Sequence, residues 1–167
     1  MSLFRRPTLA VLAALALGAP AAADDVLFEN VRIFDGTGAP LTPPANVLVR
    51  DNVIATISGQ PIEAEGATRI DGTGRTLMPG LIDAHWHALL VRPTPAEAIY
   101  GDLGHTNLVA GAEATDTLMR GFTTVRDMGG PSFGLKQAID EGVVVGPRIY
   151  PSGAMITITS GHGDFRM

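Results

Sequence analysis

One segment constrains the chain more than any other: Leu77-Met78-Pro79-Gly80-Leu81-Ile82-Asp83-Ala84-His85-Trp86-His87. Leu77, Leu81 and Ile82 are apolar, and Pro79-Gly80 punctuates the start, so the segment is expected to be a strand buried on both sides. Strands of that kind belong to parallel sheets covered by helices. At the carboxyl end, where α/β folds place their chemistry, stand two histidines one residue apart. Side chains alternate across a strand, so His85 and His87 are expected on one face, roughly 6.5 to 7 Å apart along it. Neutral imidazole is the commonest metal ligand, and two imidazoles on one rigid strand lose little entropy in closing on a cation. His85 and His87 are therefore read as metal ligands. Asp83, two residues earlier and expected on the same face, is read as the partner of an imidazole N–H. The plain alternative is a pair of polar residues where a strand meets a loop.

On either side of this segment the pattern differs. From Val26 to about Met78 the sequence predicts short strands at Val26–Phe34, Asn46–Val49, Val53–Ile57 and Thr68–Ile70. Asp51-Asn52 separates two alternating runs and suits a tight hairpin, because both residues tolerate positive φ. After His87, residues 88–104 read as a proline-bearing loop. Asn107–Arg120 reads as a helix with Leu108, Ala112, Thr115 and Met119 on one stripe and Gly121 as its stop. Phe122–Val125 is the next strand and delivers Arg126 and Asp127 to its carboxyl end. Ser132 is placed to cap a short helix through Glu141, and Arg148–Thr159 begins another strand before Ser160-Gly161-His162-Gly163-Asp164.

Strands alternating with helices imply βα units on a parallel sheet. A complete (β/α)8 barrel takes about 250 residues, so the stretch from Gly80 to Met167 holds about three units. The expected fold class is α/β, a partial (β/α)8 TIM barrel preceded by a small sheet. The expectation that follows is an amino-terminal piece of a longer protein, against a self-contained three-unit domain whose sheet edges would stay uncovered.

Composition removes several function classes. With 12 basic against 17 acidic side chains, and Lys136 as the only lysine, there is no basic cluster to neutralise phosphates and no nucleic-acid partner is expected. There is no cysteine. Disulfides and thiolate sites are excluded, and histidine and carboxylate remain as strong ligands, which suits a borderline or hard divalent ion.

Residues 1–23 read as a removable secretory signal. Arg5-Arg6 precede the apolar run Leu9–Leu17, and Ala21-Ala22-Ala23 stand before Asp24-Asp25. The run is far shorter than the ~20 residues a permanent anchor needs. An exported protein, periplasmic or extracellular and without a permanent membrane anchor, is expected.

Three motifs in order carry a family resemblance: Gly74–His87, then Gly121-Phe122-Thr123-Thr124-Val125-Arg126-Asp127-Met128-Gly129-Gly130, then Ser160–Asp164. The first resembles the opening barrel strand of the amidohydrolase superfamily. The later two resemble its imidazolonepropionase-like and Xaa-Pro dipeptidase-like members. The resemblance implies that residues 24–78 are the amino-terminal part of a β-sandwich domain and 79–167 part of a TIM-barrel domain. It implies that His85 and His87 are the first pair of metal ligands, the family's lysine, two further histidines and aspartate lying beyond Met167. Trp86 is bulkier than the residue usual between the pair, and Ser160 stands where glycine is commoner.

The function so implied is metal-dependent hydrolysis of C–N bonds in amides, peptides or cyclic amides. Zinc is the expected metal, one or two ions in the parent, acting on a small-molecule or dipeptide-like substrate; these 167 residues alone are expected to be inactive. His162, between two glycines at a strand end, is the candidate substrate contact. Arg126 and Asp127 are either pocket groups or an ion pair, and His105 is expected to be a surface or capping residue. No catalytic residue and no oligomeric state can be assigned. The competing class is a secreted, non-catalytic metal- or ligand-binding module.

Overall fold

The computed structural model describes residues 25–164, so the expected signal sequence lies outside the described residues. The chain falls into two compact units, one up to Leu77 and one from Met78.

The first unit is a five-stranded sheet. β1 (Val26–Ile33), β2 (Ala45–Arg50), β3 (Val53–Ser58) and β4 (Thr68–Asp71) run in the order β3-β2-β1-β4, and β5 (Thr76–Leu77) pairs with the far end of β1. The β2–β3 hairpin turns at Asp51 and Asn52 with φ of 48° and 69°, as their tolerance of the left-handed region anticipates. Leu27 and Leu48 pair across β1 and β2 and form a small core with Ala64.

The second unit alternates strand and helix: β6 (Leu81–Trp86), α1 (Pro95–Tyr100), α2 (Leu103–Met119), β7 (Phe122–Asp127), α3 (Phe133–Asp140) and β8 (Arg148–Pro151). The three strands are parallel in the order β6-β7-β8. Trp86, Ala88, Leu89, Ala110, Ala114, Val125, Leu135 and Ile149 form its core. Among the described residues no helix is long and apolar enough to cross a membrane.

Several sequence expectations need correction. The single strand expected over Leu77–His87 is two: β5 ends at Leu77 in the first unit, and β6 starts at Leu81 in the second. Pro79, which has no N–H to donate, falls in the gap. Nor is β6 buried on both sides, since Leu81 is 42% and Ile82 70% exposed. Among the described residues it has one strand neighbour, β7. The loop expected over 88–104 contains α1, started by a capping box in which the Thr94 hydroxyl accepts from the Glu97 N–H and the Glu97 carboxylate accepts from the Thr94 N–H.

Helix α2 begins a turn earlier than expected, where the Asp102 carboxylate accepts from the His105 N–H at 2.8 Å. Its buried face is not that stripe. Leu108 and Met119 are exposed, whereas Ala110, Gly111, Glu113, Ala114 and Thr117 are buried. Small residues let the helix axis approach its neighbours closely, and no run of large apolar residues marks that face in the sequence. Ser132 does stand at the N-cap of α3, but its hydroxyl makes no capping bond. The strand expected over Arg148–Thr159 stops at Pro151, and Gly153 with φ of 80° turns the chain out of the sheet.

Candidate metal centre

Because β6, β7 and β8 are parallel, their carboxyl ends share one edge of the sheet. His87 follows β6, Asp127 closes β7, and Ser152–Asp164 follows β8. Main-chain bonds join these ends. The Met128 N–H donates to the Trp86 carbonyl at 2.9 Å, the Ser152 N–H to the Asp127 carbonyl at 3.0 Å, and the Gly130 N–H to the Gly153 carbonyl at 2.9 Å.

Trp86 is 5% exposed and packs with Ala110, Ala114 and Val125. It thereby anchors the backbone between the two histidines. Their rings lie together on one side, centroids 5.2 Å apart and planes at 68°. This is closer than the spacing along a strand, because the rings converge.

Asp83 is used differently from the expectation. Its Oδ1 accepts from the backbone N–H of His85 at 2.9 Å, not from an imidazole. In register Asp83 pairs with Val125 and Trp86 with Asp127, so one strand advances three residues while the other advances two. The extra residue is an irregularity in the β6–β7 pairing between Asp83 and Trp86, and Asp83 still lines the same concavity as the two histidines.

The carboxylate that does approach an imidazole is Asp127. Its Oδ1 lies 4.0 Å from Nδ1 of His87 and accepts from the Gly129 N–H at 3.1 Å. Asp127 is wholly buried, whereas Arg126, the next residue along the strand, is exposed, so the two do not form the local ion pair considered from sequence. Asp127 Oδ2 and His87 Nδ1 are both buried and without a hydrogen-bond partner.

Two neighbouring imidazoles, one with an unpartnered buried nitrogen beside a carboxylate, fit a borderline divalent ion as two of its ligands. They do not make a full set. Among the described residues no three histidine, aspartate or glutamate side chains converge as a cation site.

The other sequence candidates lie apart from this pair. His162 is exposed and lines a concavity with Met128, Met155 and Thr157, while His85 and His87 line another with Asp83, Trp86 and Leu90. His105 is exposed on the first turn of α2. Sequence reasoning missed Glu113, buried on α2, which pairs with Arg120 and, at 3.3 Å, with Arg92 of the loop that follows His87. The spacing of Glu113, Thr117 and Arg120 along one helix face was the available signal; nothing local pointed to Arg92.

The sequence profile of the amidohydrolase family matches residues 76–166. An ochratoxinase of Aspergillus niger is 30% identical over 149 residues, covering 79% of this chain and 28% of that protein. A crystal structure of an amidohydrolase is 37% identical with a TM-score of 0.74, covering 85% of this chain and 34% of the other. A Xaa-Pro dipeptidase with methionine bound in its active site is 27% identical with a TM-score of 0.70, covering 84% and 36%. The chain thus spans less than a third of the length of the ochratoxinase it matches.

Proposed function

The chain belongs to the amidohydrolase family, and from that premise we propose that it supplies the first two ligands, His85 and His87, of a divalent-metal-dependent hydrolase of C–N bonds. One observation carries the reading: the two rings stand 5.2 Å apart at the carboxyl end of a parallel strand, inside the stretch that the family profile matches. On this reading β6 to β8 with their helices are about three units of a (β/α)8 barrel, and the sheet of β1 to β5 is part of a β-sandwich. Residues 1–23 are a secretory signal and the protein is exported, a proposal supported by Arg5-Arg6, the short apolar run and the small residues after it.

The metal is zinc in this proposal, as one or two ions. A bound divalent ion supplies an acidified water and polarises the substrate carbonyl. The chain's own residues do the rest. His85 and His87 hold the ion from a strand end that Trp86 fixes in the core. The ion pairs of Arg92 with Glu113 and Asp116 tie the loop after His87 to α2. His162, carried at the carboxyl side of β8, is proposed to contact substrate, at the sheet edge that also carries His87.

The substrate is a small amide, dipeptide or cyclic amide. The names of the related proteins, an ochratoxinase and a Xaa-Pro dipeptidase, support that class. With only two converging ligands among the described residues, these 167 residues are proposed not to turn substrate over by themselves.

Zinc titration by calorimetry tests the site. His85→Ala and His87→Ala are each expected to weaken binding by about tenfold or more; affinity unchanged by both substitutions overturns the reading. Hydrolysis of amide, dipeptide and cyclic amide substrates by the zinc-loaded chain, abolished by His85→Ala, would overturn the proposed inactivity.

A further inference from the structure

We propose that Asp127 is a positioning residue that fixes the ring of His87, holding its proton on Nδ1 and leaving Nε2 as the ligand atom; the inference rests on the reading of His87 as a metal ligand.

The observations converge from both partners. Asp127 is wholly buried, and Gly129 gives Oδ1 one N–H while Oδ2 has no partner. A buried carboxylate left short of donors is costly. Among the described residues the only basic side chain within 4.0 Å of it is His87, and that contact is through Nδ1, itself buried and unpartnered.

The chemistry selects one tautomer. With the proton on Nε2, the lone pair of Nδ1 would face a carboxylate oxygen. With the proton on Nδ1, that N–H faces an acceptor. The 4.0 Å separation is from Nδ1 to Oδ1 and is longer than a hydrogen bond, so the proposed bond requires the ring to turn toward the carboxylate. The strands support the arrangement, because Trp86 and Asp127 are paired in register and the Met128 N–H bonds the Trp86 carbonyl.

The experiment combines nitrogen-15 NMR of the histidine rings with zinc titration of the full chain. In the metal-free protein, at a pH where its ring is neutral, His87 is expected as the Nδ1–H tautomer, its signals assigned by their loss in His87→Gln. In Asp127→Asn the amide can donate to Nδ1, so the ring proton is expected to move to Nε2 and zinc affinity to fall by about 10 to 100-fold, with the His85 signals unchanged. An Nε2–H tautomer in the unsubstituted chain overturns the positioning role, as does zinc affinity that survives Asp127→Asn. If Asp127→Asn fails to fold, the tautomer of the unsubstituted chain decides alone. Failure of the unsubstituted chain to bind zinc tells against the hydrolase reading itself, a result separable from the tautomer measurement.

Discussion

Gly80 lies against Thr123 so closely that a Cβ placed on it would sit 2.1 Å from the Thr123 hydroxyl oxygen and 2.2 Å from its methyl carbon. The contact sits where β6 starts, beside the bond from the Leu81 N–H to the Gly121 carbonyl at 2.8 Å. Only glycine lets the two strands meet there. The histidine pair, five and seven residues along, takes its placement from that start.

Gly80→Ala is accordingly expected to cost about 1–3 kcal/mol through overpacking, seen as a lower melting temperature by circular dichroism. Thr123→Gly removes all three contacted atoms, so the two substitutions together should cost less than their sum. Strictly additive losses would count against the contact.

Acid should loosen α1 through Glu97. The Thr94 N–H and hydroxyl bonded to its carboxylate hold Glu97 below the usual glutamate range. A group depressed in the folded state stabilises it fully above the unfolded pKa and loses that contribution as pH falls through the lower folded value. Corrected for the intrinsic pH dependence of exchange, the protection of the Thr94 amide and of residues 96–100 is therefore expected to be steady from neutral pH down to the carboxylate range and to fall below it. In Glu97→Gln that acid-induced change should disappear.

The parts of this fold that were legible in sequence are those set by local chemistry. The Asp51-Asn52 turn, the Gly121 stop at φ of 96° and the same-sided histidines follow from backbone freedom and strand alternation alone. The capping box at Thr94 and Glu97 was equally local and could have been read. What escaped depends on tertiary placement. The exposure of Ile82 follows from β6 having one strand neighbour among the described residues, and the burial of Glu113 from an arginine more than 20 positions away in the chain. For Asp127 the residue was visible but its neighbour was not. A single-residue register shift separates Asp83 from Trp86 in the pairing with β7, and no pattern within one strand encodes a shift that exists only between two.

Ser160 holds φ of 59°, a left-handed conformation in which a side chain is disfavoured, while its N–H donates to the Asp164 carboxylate at 2.8 Å. Ser160→Gly keeps that backbone bond and removes the steric cost of about 1–2 kcal/mol, offset in part by the greater freedom of glycine in the unfolded chain. A small rise in stability, on the order of 0.5 kcal/mol, is expected in a denaturant titration. A clear loss would mean that the serine side chain contributes a contact worth more than the strain.

Glu113 is shared between two arginines, and the sharing predicts how they substitute for each other. Its side chain is 6% exposed, while those of Arg92 and Arg120 are 45% and 53% exposed. Removing one arginine leaves the buried carboxylate paired with the other, so Arg92→Ala and Arg120→Ala are each expected to cost about 0.5–1 kcal/mol, as partly exposed pairs do. Removing both leaves Glu113 a buried charge bonded to the Thr117 hydroxyl at 3.2 Å, and the double variant should lose more than the sum. Glu113→Gln in that background then has no ion pair left to break and should recover stability by removing the uncompensated charge. Urea midpoints of the four variants against the unsubstituted chain measure each step. Additive losses with no recovery on Glu113→Gln would mean that the arginines act through their packing and not through the shared carboxylate.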